Sequence, residues 1–224
     1  LVADGEEAAE IYGGAKDTKQ AGKVAEVVER MRQLSPVLRE RCEYNKSRRR
    51  VYDEKTASYY EVITSDAVGE LGHNPHGVVI DEVLAQADGR FWAAMRTAMG
   101  ARVQPLMLGS TTAGDDPSGF CAKEHEEMER VAADPARAPH VFVYMRNTPK
   151  DADPWDETNW VHANPALGSF LSIQALRDEA LEARNDPTKE NEFRQYRLNQ
   201  WVSQVTRWMP LHRWDANAGM VTEE

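Results

Sequence analysis

Val78, Val79 and Ile80 form a short apolar run that stops at Asp81-Glu82. Two adjacent carboxylates at the tip of a buried strand suit two tasks. One can hold a hard divalent cation, directly or through water, and the other can polarise a water for attack. Such a tip is also where ligands sit in open α/β folds, beyond the carboxyl ends of the strands. A helix N-terminus is the plainer alternative, since acidic side chains there favour the dipole. A second apolar run, Pro105-Leu106-Met107-Leu108-Gly109, ends in Ser110, Thr111 and Thr112. Hydroxyls on a neighbouring tip could sense a bound phosphate; a turn rich in Ser, Thr and Gly would read the same way. Two such tips separated by one helix favour a nucleotide site, with Asp81 holding Mg²⁺ and Glu82 orienting the water that attacks ATP.

The phosphate cradle of such a site has its own signature. A P-loop needs G-x-x-x-x-G-K-[ST], so that backbone N–H groups wrap the phosphates and the Lys reaches them. No such string occurs in these 224 residues. Gly22-Lys23 is the nearest approach, but Val24 follows it, Asp17 stands where the first Gly belongs, and it falls within a helical pattern.

The elements that must position these residues alternate in kind. Residues 10–15 read as a strand ending in Gly-Gly-Ala. Ala21, Val24, Val27, Val28, Met31 and Leu34 then form one helix face, with Asp17 or Thr18 as its cap. Residues 48–53 and 58–64 read as a hairpin, and residues 78–81 as the strand that ends in the carboxylate pair. Asp88 would cap a helix with Phe91, Trp92, Met95, Ala98 and Met99 on one face. Residues 104–109 form the next strand, 118–132 a charged helix, and His140 to Arg146 a further strand. Strands alternating with helices imply an α/β sheet with helices on its faces. Pro149, Pro154 and Pro165 mark an irregular stretch over 147–169, in which Asn164-Pro165 reads as a turn. Two helices, about 172–185 and 188–202, and a Trp-rich tail follow, so a boundary is placed near Lys150.

Composition narrows the field. A chain of 224 residues that is 41% apolar, with six Trp, can build a sizeable core. No apolar run approaches membrane-spanning length. The start, Leu1-Val2-Ala3-Asp4, has neither the basic region nor the apolar core of a signal peptide, and it lacks Met, as the interior of a longer protein would. Cys42 and Cys121 lie far apart and read as reduced thiols, without metal spacing. With a net charge of −10, any nucleic-acid contact must come from local basic loops.

Several longer blocks carry a family resemblance. "IYGGAKDTKQA", "VITSDAVGELGHNPHGVVIDEVLAQ", "MGARVQPLMLGSTTAG", "NWVHANPALG" and "FRQYRLNQWVSQVTRWMPLHRWD" occur in this order along the chain. Together they resemble the large terminase subunit of tailed bacteriophages, the motor ATPase that packages DNA. The resemblance implies a P-loop NTPase-type (ASCE) α/β fold: a mainly parallel sheet flanked by helices, incomplete at its N-terminus, then a small helical lid or linker subdomain. The expected division is an ATPase core over 1–150 without its P-loop, and a lid or linker over 151–224 leading toward a nuclease domain that would begin after Trp214. Asp81 becomes the Walker B carboxylate, Glu82 the catalytic Glu, and Ser110, Thr111 and Thr112 the coupling motif.

The implied activity of the intact protein is ATP-driven translocation of double-stranded DNA into a procapsid, with ATP and Mg²⁺ as cofactors and this chain alone inactive. Implied partners are DNA, the portal protein, the small terminase subunit and further copies in a ring, in the host cytoplasm and transiently docked on the procapsid, with no membrane. A catalytically inactive fragment that keeps only subunit, portal or DNA contacts is the alternative. Another motor, such as a helicase, would need accessory motifs that are not seen. Relatives often carry a basic residue after Ser-Asp-Ala, where this chain has Val68. No Arg occurs between Arg50 and Asp81 to act as an arginine finger on a neighbouring subunit; Arg90, Arg96 and Arg102 are candidates by type only, and each reads better as a surface arginine. Lys46 with Arg48, Arg49 and Arg50 could contact DNA phosphate or a neighbouring subunit's nucleotide, or simply be a solvated strand start. Trp201, Trp208 and Trp214 could stack on bases but fit packing better. His73 and His76 flank Pro75 and fit a loop role.

Overall fold

The computed structural model describes residues 5–64, 72–86 and 88–203. The Ser65-Asp66-Ala67 lead-in, Val68, Trp208 and Trp214 lie outside these. Contacts divide the chain into two compact units, Leu1–Thr111 and Thr112–Glu224.

The first unit is built on β1 (Glu10–Ala15), β2 (Cys42–Asn45), β3 (Arg50–Asp53), β4 (Ser58–Thr64), β5 (Pro75–Asp81) and β6 (Leu106–Ser110). They form one sheet in the order β2-β3-β4-β1-β5-β6. β4, β1, β5 and β6 are mutually parallel, and β3 is antiparallel to both β2 and β4. From β1 the chain goes first to β4 on one side, then to β5 on the other, so the order reverses between β1 and β5. Open α/β folds bind their ligands at such a reversal, beyond the carboxyl ends of the two strands.

Helices cover the two faces for reasons visible in the side chains. α1 (Thr18–Leu34) starts at Asp17, whose carboxylate accepts the N–H groups of Lys19 and Gln20. The Gln20 bond foremost, with that of Lys19, holds this carboxyl below the usual range. Ala21 and Ala25 are small enough to seat α1 on Ala15 and Val62. α2 (Pro36–Arg41) follows and leads into β2. α3 (Arg90–Ala98) presses Phe91 and Met95 inward from the opposite face. Gly14 and Gly109 permit this approach: a Cβ at Gly14 would lie 2.7 Å from the Phe91 ring, and one at Gly109 would lie 2.9 Å from Trp92. α3 begins one residue later than expected, with Gly89 at the cap, while Asp88 accepts the Arg90 N–H at 2.9 Å. Gly22 and Lys23 sit inside α1, so this pair forms no phosphate loop.

The second unit contains α4 (Phe120–Ala133), α5 (Glu157–Ala163), α6 (Ile173–Asn185) and α7 (Pro187–Leu198). Trp160, Leu176, Ala180, Ala183, Phe193 and Leu198 form its core, with Trp155 and Leu167 against them. α5 falls within the stretch read as irregular; its cap is Asp156, which accepts the Thr158 N–H. Asn164-Pro165 does lie at a turn, where the Asn164 side chain donates to the carbonyls of Trp160 and Arg197.

The strand expected over His140 to Arg146 is absent: residues 141–149 carry no regular secondary structure, and Phe142 and Tyr144 are exposed. The apolar run Val141 to Met145 is real. A strand also needs a hydrogen-bonded neighbour, and none pairs with this stretch among the described residues. Cys42 and Cys121 are not joined in a disulfide, and both are buried. Among the described residues no helix is long and apolar enough to cross a membrane.

Candidate functional site

Asp81 is the last residue of β5 and lies in register with Ser110, the last residue of β6. Val78 and Ile80 are buried beneath it, which anchors the strand, while Asp81 itself is exposed. The Ser110 hydroxyl donates to Asp81 Oδ1 at 2.7 Å. One residue further on, the pattern repeats: the Thr111 hydroxyl donates to Glu82 Oε1 at 2.9 Å. Thr111 Oγ1 also accepts the Leu84 N–H at 3.0 Å. The two carboxylates and two hydroxyls predicted for neighbouring tips therefore form paired bonds at one sheet edge. β5 is an interior strand, between β1 and β6.

Glu82 departs from strand geometry. Its φ is 61° and ψ is 70°, in the left-handed region, and it precedes a single 3-10 turn over Val83–Ala85. A side chain there costs about 1–2 kcal/mol relative to an ordinary conformation. The twist turns the chain away from the sheet immediately after Asp81. Successive carboxylates that would alternate across a strand thus serve the same edge.

The donor set is all oxygen and suits a hard cation such as Mg²⁺, which takes one or two carboxylates and fills its remaining positions with water and phosphate. Asp81 and the Ser110 hydroxyl are the groups that fit. Among the described residues, no group of three His, Cys, Asp or Glu side chains is arranged to hold a metal by itself.

Thr112, expected with Ser110 and Thr111, opens the second unit instead. The chain just after it is held firmly there. The Ala113 N–H donates to Asn199 Oδ1 at 2.7 Å, Gln195 Nε2 donates to the Ala113 carbonyl at 3.0 Å, and the Val202 N–H donates to the Gly114 carbonyl at 3.1 Å. Asn199 ends α7 with φ 51° and also donates to the Arg146 carbonyl at 2.9 Å. Sequence reasoning did not single out Gln195 or Asn199. The available signal was Asn after a helical run, since Asn tolerates the left-handed cap.

Other candidates resolve into structural roles. Arg102 is no loose surface arginine: it donates to the carbonyls of Asn74 and Ala8 and pairs with Glu6 at 3.1 Å. Arg90 pairs with Asp88, and Arg96 lies in the last turn of α3. His76 is buried with Nδ1 3.8 Å from Glu6, and the His73 ring meets Tyr12 edge-on. His76 is the second residue of β5 and not in a loop, whereas His73 lies two residues ahead of the strand; both are at the end away from Asp81. Trp201 packs edge-on against His125.

Residues 1–130 match the family model described as terminase large subunit, ATPase domain. The chain belongs to the terminase large subunit family. Residues 136–222 match the model described as terminase large subunit, endonuclease domain, which reaches back well ahead of the nuclease start expected after Trp214. The large terminase subunit of Enterobacteria phage HK97 is 29% identical over 209 residues, which is 92% of this chain and 40% of that protein. Protein YmfN of Escherichia coli strain K12 is 30% identical over 146 residues, 65% of this chain and 32% of that protein. The crystal structure of the HK97 large terminase superposes with a TM-score of 0.78 at 27% identity, over 95% of this chain and 44% of that one. This terminase chain thus spans about two-fifths of the HK97 relative's length.

Proposed function

We propose that these residues supply the hydrolytic edge of an ATP-driven motor that moves double-stranded DNA into a procapsid. The observation that carries the reading is the pair of bonds Ser110–Asp81 and Thr111–Glu82 at adjacent strand tips. Asp81 would hold Mg²⁺, which when bound supplies charge neutralisation at the phosphates. Glu82 orients and deprotonates the attacking water; its left-handed backbone brings the carboxylate to the same edge as Asp81. Ser110 and Thr111 keep both carboxylates positioned and are the groups that register a change of state at that edge. The complete site needs a phosphate cradle, and no G-x-x-x-x-G-K-[ST] lies within the 224 residues. Hydrolysis is accordingly assigned to these residues acting with such a cradle. A ring of copies, the portal protein and the small terminase subunit are the proposed partners, in the host cytoplasm and docked on the procapsid.

The test is Glu82→Gln in a packaging-competent polypeptide that contains residues 1–224. It preserves shape and removes the base. ATP turnover should fall by about 10²–10⁴-fold while ATP affinity holds. Turnover within about twofold of the parent would remove Glu82 from the mechanism.

A further inference from the structure

The four-residue turn that joins β2 to β3 carries Lys46, Arg48 and Arg49, and none of these side chains has an acidic partner among the described residues. The chain as a whole has 37 acids and 27 bases. Elsewhere the acid excess captures arginines: Arg32 pairs with Glu29, Arg130 with Glu127, Arg177 with Glu157, and Arg197 with Glu179. Even Arg50, at the base of the turn, is committed. It pairs with Glu61 and lies 3.9 Å over the Tyr59 ring, so it does not join the other three as a free contact.

The turn is shaped rather than loose. Asn45 Oδ1 accepts the Ser47 hydroxyl at 2.8 Å and the Arg48 N–H at 3.0 Å, and Arg49 has a left-handed φ of 50°. Lys46 and Arg48 are exposed, and Arg49 is half-buried. Arg48 also borders a shallow recess with Tyr44, Asn45, Tyr52, Arg50 and Glu43, the last its sole carboxylate.

The register fixes where the turn points. Asn45 pairs with Arg50, Arg50 with Glu61, Glu61 with Tyr12, and Tyr12 with Val78. Continuing past Asn45 therefore leads toward the carboxyl ends of β4, β1 and β5. The turn emerges on the same edge of the sheet as Asp81. It is offset sideways: β3 is three strands from β5 and β2 is four, which is roughly 14–19 Å at ~4.8 Å per strand. That exceeds the span of an arginine side chain, so these cations do not serve the phosphates at Asp81 of their own chain.

We propose that the 46–49 turn is a contact for the phosphate backbone of double-stranded DNA. The inference rests on the reading of duplex DNA as the cargo. A nucleotide held by a neighbouring copy offers the same phosphate chemistry. It would demand one cation fixed at one point. Two exposed cations and a half-buried third, spread over a turn, suit instead a linear polyanion, whose affinity comes from neutralising successive phosphates whatever the sequence.

The experiment compares a packaging-competent polypeptide that contains residues 1–224 with a variant of it carrying Lys46→Gln, Arg48→Gln and Arg49→Gln. Binding to a short mixed-sequence duplex is measured across a range of salt, and MgATP binding is measured in parallel. The variant should bind duplex on the order of tenfold more weakly at low salt, and the slope of log K against log salt should be shallower by about 2–3. Arg48→Gln alone, at an exposed site, should shift the slope by about 1 and controls for any folding defect in the triple variant. An unchanged slope in both variants overturns the inference while leaving the hydrolytic reading intact. Loss of MgATP affinity with duplex binding unchanged reassigns the cations to nucleotide. Failure of the unmodified polypeptide to bind duplex overturns both this inference and the assignment of DNA as cargo, whereas the Glu82→Gln assay tests hydrolysis independently.

Discussion

The left-handed backbone at Glu82 gives a stability prediction that separates geometry from chemistry. Glu82→Ala and Glu82→Gly both remove the carboxylate, so both lose the bond from Thr111 equally. They differ only in the Cβ, which at φ 61° is crowded by the backbone. Keeping a Cβ there costs about 1–2 kcal/mol. Glycine returns some of that advantage, because its unfolded chain has more freedom, by about 0.4–1 kcal/mol. The Gly variant should therefore be the more stable of the two by roughly 0.5–1 kcal/mol. For a chain of this size that is about 1–4 °C in melting temperature. The assay is thermal unfolding of the two variants side by side, with ATP turnover measured in the longer polypeptide. Both should be inactive, and the more stable one no less so. An Ala variant that melts at or above the Gly variant would refute the left-handed assignment, and with it the argument for how Glu82 reaches the edge shared with Asp81.

Asn199→Ala removes the bonds to Ala113 and Arg146 and leaves a left-handed residue with no polar compensation; it should cost about 2–3 kcal/mol in urea unfolding, with Asn199→Gly recovering about 1 kcal/mol of that. Asp53 is fully buried; burial pushes its carboxyl up, but the Arg41 guanidinium, the Thr56 hydroxyl and the Lys55 N–H outweigh it and hold it below the usual range. Its folded pKa is thus depressed, so its contribution is present above about pH 4 and is lost as pH falls below that. Asp53→Asn should lower the melting temperature at neutral pH and flatten the acid decline, as a melting series across pH would record.

The sheet was legible because its strands are bounded by side chains that leave no choice. The run Val78 to Ile80 must be buried, and a carboxylate pair cannot follow it inward, so the strand had to end at an exposed tip. The one-faced pattern of α1 and the aromatic face of α3 likewise required a sheet beneath them. β2 escaped notice because Cys42-Glu43-Tyr44-Asn45 is short and lies at the sheet edge, where only one neighbour constrains it. Arg102 was misjudged for a related reason. Charge type says nothing about partners, and Arg102 is tied down by the carbonyls of Asn74 and Ala8, contributed by segments far from it in sequence.

His140 to Arg146 shows the converse limit. Its apolar run is at least as long as that of β4, yet it forms no ladder among the described residues, because a strand's backbone is satisfied by a neighbour and not by its own pattern. β6 makes the same point from within the sheet. It pairs only with β5, and Leu106 and Leu108 stay exposed although the run reads as buried. What decides its position is the tip. Ser110 bonds Asp81 and Thr111 bonds Glu82. A strand so thinly covered along its length, and so closely held at its end, has its register set by the polar residues of the site. Those are the residues whose types first stood out in the sequence, and their pairing is what apolar periodicity could not supply.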